Sequence, residues 1–321
     1  MPPDSTYIMQ NMADSAGLPD SIHILGPEKT GSLQEVPTSP DLGYTIPARD
    51  SRDSWLLFIF MIAVAMVISL VRYWRFKSIA KETSRIFEEK KASYHKILDD
   101  YNPYYKSLGA AGQERFIRRT ISFMHSKHFQ YVGIEAEEKM PVLISATAIQ
   151  LTFGLKHYLL DYFKTIYVMK DNYRYGLSAV PFEGHVNDNG IYLSWNNFIR
   201  EYSDYTDGEN VGLHEMAHAL TYVNFTVQDG MDYSFRYKFH KFSRIGRPIF
   251  ARMQQGETNL LNKYGATSYD EFWAVCIESF FERPFPFREQ MPHLYYALCR
   301  LLNQDPSTKD KILTGLDLSK A

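Results

Sequence analysis

The sequence predicts a helix-dominated α+β domain preceded by a single transmembrane helix. Three observations carry this. Residues 54–71 form an eighteen-residue run without a charge. Beyond about residue 110, helix-like periodic stretches outnumber strand-like ones up to residue 306. Asn187-Asp188-Asn189-Gly190 is a hairpin turn signal between two strand-like segments.

In chain order, residues 1–53 hold seven of the 15 prolines with many Ser, Thr, Gly and Asp. Such a stretch buries too little apolar surface to offset its ordering entropy, and a disordered tail is expected. No basic region followed by an apolar one opens the chain, so it does not read as a signal peptide. The run SWLLFIFMIAVAMVISLV makes 54–72 the expected membrane span, with Trp55, Tyr73 and Trp74 placed as interfacial aromatics. A buried core helix of similar length is the alternative, but polar-face residues are missing throughout. Residues 72–91 carry Arg72, Arg75, Lys77, Lys81, Arg85, Lys90 and Lys91, whereas the 19 residues before the span carry only Arg49 and Arg52. The positive-inside rule then puts the N-terminus outside the cell membrane and everything after Arg72 in the cytoplasm. A reducing cytoplasm also suits Cys276 and Cys299, which cannot build a disulfide framework.

Residues 73–109 read as a charged helical stalk ending near Asn102-Pro103, its basic face either solvated or set against lipid headgroups. Residues 110–306 form the domain proper, with helices expected at 112–128, 140–157, 209–223, 236–263, 269–283 and 289–303, and strands at 165–170 and 183–195. A tail, 307–321, follows. A net charge of −2, from 35 Lys+Arg against 37 Asp+Glu, argues against a dedicated nucleic-acid binder. P-loop, GxSxG and GxGxxG motifs are absent, which removes NTPase, serine-hydrolase and Rossmann readings.

The chemistry concentrates in VGLHEMAHALTY, residues 211–222, which contains HExxH as His214, Glu215 and His218. On a helix, positions i and i+4 share a face, so both imidazoles reach one Zn²⁺ at ~2.0–2.1 Å. Glu215, beside the first ligand, is placed to act as general base on a water that the metal acidifies. Val211, Leu213, Met216, Ala217 and Leu220 give the helix an apolar setting, and Asp207-Gly208 supplies a start signal.

A catalytic zinc needs a third protein ligand. The segment YGATSYDEFWAVCIESFFERP, residues 264–284, offers Glu271, Glu278 and Glu282. Glu271 and Glu278 lie seven residues apart and share a helix face; Glu282, near the helix end, reads as solvated. Pattern alone favours Glu278, an acid among apolar neighbours that is costly to bury without a partner. Ser268-Tyr269-Asp270-Glu271 matches a capping box, an ordinary role for Glu271.

GIYLSW (190–195), DGENVGLHEMAH (207–218), YGATSYDEFWAVCIESFF (264–281) and MPHLYYALCRLLNQDP (291–306) together resemble the Mlc titration factor A family of zinc peptidases. That family's metal-site helix pair is similar to the catalytic domain of anthrax lethal factor. The resemblance implies a zincin-like fold. It also implies that the third zinc ligand is the Glu preceding an aromatic pair, here Glu271 before Phe272-Trp273, with a catalytic Tyr seven residues earlier, here Tyr264. Tyr264 would then donate a hydrogen bond to the oxyanion, and Glu278 would bond a ligand imidazole rather than the metal. The family usually reads HEFAHxLD where this chain has HEMAHALT, so Met216 and Thr221 depart from it.

The expectation is therefore a membrane-anchored zinc peptidase acting on a peptide or protein, with strand 191–195 pairing to an extended substrate. The resemblance also implies a rival, a regulatory module that sequesters a protein partner such as a transcriptional repressor. His185 reads as a surface turn residue, and His125, His128, His157, His240 and His293 as surface or packing residues.

Overall fold

The computed structural model describes residues 51–176, 180–227 and 232–308, apart from the side chains of 51–54, 72, 75–76 and 79–80 in the first helix. Most of the N-terminal tail and of the 307–321 tail lies outside the described residues. The chain divides into two compact units, Met1–Ser78 and Ile79–Ala321.

Helix α1, Ser51–Tyr101, contains the uncharged run. Every side chain from 55 to 71 is exposed. Among the described residues, no helix is long and apolar enough to cross a membrane.

The second unit starts earlier than residue 110. Ile86, Phe87, Tyr94 and Leu98 of α1 are buried, the Arg118 guanidinium lies 3.7 Å from the Phe87 ring centre, and Thr83 Oγ1 and Ser122 Oγ are 3.2 Å apart. Residues 79–101 thus pack with the domain through an apolar stripe interleaved among the charges that suggested a stalk. Helix α2, Pro103–Lys106, follows at the Asn102-Pro103 break. Asn102 is fully buried; its side chain accepts from Tyr105 N and donates to Tyr202 Oη at 2.6 Å.

Helix α3, Ala110–His125, packs on α4, Lys139–Thr152. Helix α4 is buried on all sides from Val142 to Thr152, as expected of a central helix. It ends before the expected 157, where Gly154 approaches Leu302 O so closely that a Cβ would stand 2.3 Å away.

Four strands form one sheet in the order β1-β2-β4-β3: His128–Val132, Thr165–Met169, Gly190–Ser194 and Gly184–Asn187. Strands β1, β2 and β4 are parallel, and β3 returns antiparallel to β4 across the Asn187–Gly190 turn. Ile166, Val168, Ile191 and Leu193 are fully buried and pair in register. Strand β1 is not among the expected strands; the expected helix 112–128 reaches only its first residue, His128. Because β4 is paired on both sides, it cannot accept a substrate strand, contrary to expectation; β3 is the edge strand on that side.

Helix α5, Trp195–Ser203, is amphipathic and was missed because it follows β4 without a break. Helices α6, Val211–Thr221, α7, Tyr233–Gln254, α8, Tyr269–Glu282, α9, Pro284–Gln290, and α10, Pro292–Leu302, complete the domain. The expected helix 289–303 is α10, which starts only after Met291, and the short α9 before it was not expected. Helix α7 stops before Gly256, whose φ of +90° favours glycine.

Candidate metal centre

Helix α6 is placed by its N-terminus. Asn210 caps it, its Oδ1 accepting from Leu213 N at 2.9 Å. Val211, Leu213, Met216, Ala217 and Leu220 are buried, which turns His214 and His218 toward α8. A π-helical turn, Tyr222–Thr226, ends it. Thr221, where the resembled family has Asp, spends its hydroxyl on the carbonyls of Ala217 and His218.

Helix α8 lies against α6, and Trp273 Nε1 donates to Ala217 O at 3.0 Å. Ser268 caps α8 by accepting from Glu271 N at 3.2 Å, one half of the expected capping box. The other half is missing because the Glu271 carboxylate turns to the histidines. Its Oε2 lies 2.8 Å from His214 Nε2 and 3.5 Å from His218 Nε2. Nitrogen or oxygen atoms of His214, His218 and Glu271 all lie within 4.8 Å of one another, and among the described residues these three could hold a metal ion.

The opposite ring nitrogen of His214, Nδ1, donates to Glu278 Oε1. Glu278 is therefore not beside the other two nitrogens and acts on the imidazole instead. Its neighbours are apolar, as pattern reading saw, but its partner is a histidine.

Glu215 is buried against the sheet edge, and its Oε2 has no hydrogen-bond partner. Burial, opposed by the charges of His218 and His214, raises its pKa to about 7. Gly184 of β3 makes room for it: a Cβ there would stand 2.5 Å from Glu215 Cγ. Tyr264 sits on the 3₁₀ turn Lys263–Ala266, half exposed, with its ring centre 6.0 Å from that of His214. Burial and the nearby carboxylates of Glu271, Glu215 and Glu278 raise its pKa, keeping the phenol protonated. Burial works against charge on both His214 and Glu271. Their mutual hydrogen bond nonetheless raises the histidine and, with His218, holds the Glu271 carboxyl well below the usual range.

Two residues that mattered escaped the sequence reading. Glu282 is buried rather than solvated: it accepts from Gly208 N at 3.1 Å and from Asn210 Nδ2 at 2.9 Å, so it holds the turn and the cap that start α6. An acid one turn beyond Glu278 on the same face was the available signal. Gly184 left no signal beyond its place ahead of the hairpin turn. His185 is a strand residue rather than a turn residue. It stacks on Tyr192 with ring centres 4.2 Å apart, its Nδ1 lies 2.8 Å from Tyr173 Oη, and burial lowers its pKa to about 4.

The geometry fits the chemistry of a metal site. Two imidazoles and a carboxylate are a borderline nitrogen and oxygen donor set, and tetrahedral bonds of ~2.0–2.2 Å separate such atoms by about 3.4 Å. Comparison with known proteins agrees. The uncharacterized protein slr2042 of Synechocystis sp. is 24% identical over 231 residues, covering 65% of this chain and 83% of that protein. The profile of the glucose-regulated metallo-peptidase M90 family, to which Mlc titration factor A belongs, matches residues 73–302. That match takes in the latter part of α1, the sheet, the histidine helix and α8 in one stretch, and the chain belongs to this metallopeptidase family.

Proposed function

We propose that the protein is a zinc-dependent peptidase, anchored in the cell membrane by residues 54–72 with its N-terminus outside and its peptidase domain in the cytoplasm. The observation that carries the catalytic reading is the convergence of His214, His218 and Glu271 beside the buried, partnerless carboxylate oxygen of Glu215. When bound, zinc supplies Lewis acidity, polarising the scissile carbonyl and lowering the pKa of water.

The residues do the rest. Glu278 holds the Nδ1 proton of His214, leaving the Nε2 lone pair for the metal. Glu215, with its pKa raised to about 7, takes a proton from the attacking water and returns it to the departing amine. Tyr264 donates its phenolic proton as a hydrogen bond to the carbonyl oxygen as charge develops there. Gly184 sets the edge strand β3 against Glu215, which supports pairing of a peptide backbone along that edge.

The described side chains alone make no helix long and apolar enough to cross a membrane, so the anchor rests on the sequence, eighteen uncharged residues at 54–71, together with the exposure of every side chain from 55 to 71. Such a surface is covered by lipid far more cheaply than by water. Orientation rests on the basic residues between 72 and 91.

Metal analysis and cleavage of a peptide library by the purified chain, with and without chelator, test the reading. His214→Ala or His218→Ala should lose metal, whereas Glu215→Gln should keep metal and lose turnover. Stoichiometric zinc without cleavage of any peptide would favour the regulatory binding module instead. Cysteine-accessibility labelling of intact cells tests the topology, and labelling beyond residue 110 from outside refutes it.

A further inference from the structure

Helix α7 carries six Lys and Arg residues and no acid, and α10 beside it carries none either. In a chain of net charge −2, this is a strong local concentration of positive charge. The two helices enclose an open groove of about 740 Å³ lined by Lys238, Lys241, Arg244 and Arg300, with Tyr237 at its rim and Ile245 on its floor. Among the described residues, no carboxylate lies within ion-pairing distance of any of these four cations. Lys241 lies over the Tyr237 ring, 4.5 Å to the centre. Tyr233 and Tyr237, one turn apart on α7, are 74% and 62% exposed.

We propose that this groove is a docking surface for the headgroups of anionic phospholipids. Unpaired cations facing one another across a groove repel, and each is worth about 1 kcal/mol against an anionic bilayer surface. A phosphate-bearing headgroup neutralises two or more of them at once. Exposed Tyr237 in the groove lining, with exposed Tyr233 one turn before it on α7, matches the amphipathic depth of a lipid interface, which a soluble anion would leave unused. A chain anchored by residues 54–72 stays tethered to a bilayer, and the choice of lipid rests on that reading.

The full chain in a neutral detergent is titrated with dioctanoyl phosphatidylglycerol or dioctanoyl phosphatidylcholine, with hydrogen exchange read on 233–254 and 292–302. Phosphatidylglycerol should protect both helices and phosphatidylcholine should not, with protection falling steeply as salt rises. Lys238→Gln, Lys241→Gln and Arg244→Gln combined should weaken binding roughly 10²-fold while leaving Tm unchanged, since Lys241 and Arg244 are exposed and Lys238 is only half-buried. Equal protection by both lipids, or full protection in the triple variant, overturns the proposal. So does tighter binding by inorganic phosphate, poly-glutamate or duplex DNA. Topology labelling that excludes a span while the phosphatidylglycerol effect survives removes only the anchor. Loss of the effect in a protein shown to span the membrane removes only the groove.

Discussion

Replacing Gly184 by Ala should separate catalysis from metal binding, because the three atoms nearest the added methyl all belong to Glu215, the proposed general base. The new Cβ would stand 2.5 Å from Glu215 Cγ, 2.7 Å from its Oε1 and 2.8 Å from its Cδ. Ordinary carbon contacts lie near ~3.5–4.0 Å, so the carboxylate must retreat by about 1 Å. Gly184 does not have a positive φ, so Ala introduces no backbone strain. A displacement of that size in a reacting group costs ~10²-fold in rate, or about 2.7 kcal/mol of transition-state stabilisation. The metal-facing atoms of His214, His218 and Glu271 are untouched. The variant should therefore bind zinc fully, melt within a few degrees of the parent, and cleave a peptide reporter about a hundredfold more slowly, with the loss in kcat. Near-parental turnover, in a variant with full zinc and beside an inactive Glu215→Gln, would show that Glu215 works from another position. Loss of zinc would show that the strand edge supports the ligands themselves.

Other substitutions test the remaining parts. Glu271→Ala should abolish tight zinc binding, whereas Glu278→Ala should weaken it by roughly 10–100-fold; metal titration with the reverse order would exchange their roles and remove the case for Tyr264. Tyr264→Phe should keep zinc and lower kcat by about 10²-fold, the usual cost of one oxyanion donor, and unchanged kcat refutes its role. Glu282→Ala leaves Gly208 N and the Asn210 amide without their acceptor and should cost about 1–3 kcal/mol in denaturant unfolding. Lys127, buried between the carbonyls of Leu159 and Leu160, has its pKa lowered to about 7 by burial. The unfolded chain keeps that proton up to about pH 10.4, so stability relative to Lys127→Met should rise with pH between 7 and 10 by on the order of 1.4 kcal/mol per unit; a flat difference refutes the shift.

What the sequence revealed and what it hid follow from the range of the interactions. The spacing of His214 and His218 is a property of one helix, so HExxH was legible locally. The hairpin was legible because Asn187 to Gly190 encodes its own turn. Strand β1 was hidden because His128–Val132 alternates only between exposed and half-buried positions, and pairing with β2 rather than propensity makes it a strand. The boundary at Ile79 was hidden for a related reason: the charges of residues 81–100 dominate their reading, while Phe87, Tyr94 and Leu98 are buried, Phe87 under Arg118 of α3.

The three acids of α8 were hard to rank for the same physical cause. They share one face, and from the sequence alone any of them can be ligand, cap or solvated end. The helix pair removes the degeneracy by running antiparallel. Glu271, nearest the start of α8, meets the Nε2 atoms of His214 and His218. Glu278, two turns on, meets Nδ1 of His214. Glu282, one turn further, meets the Asn210 cap and the Gly208 turn. Each step along α8 thus moves backward along α6, from the metal-facing edge, to the far edge of one imidazole, to the end of the helix that carries it. In the proposed site the distribution gives each acid a different cost when lost: Glu271 a metal bond, Glu278 the orientation of the His214 ring, and Glu282 the placement of the whole helix. Metal affinity should therefore fall most for the first, and folding stability should fall most, relative to affinity, for the last. A double variant of Glu278 and Glu282 whose affinity losses add without coupling would show that the two acids act separately. Coupling well above 0.5 kcal/mol would show instead that the cap and the imidazole are held as one unit.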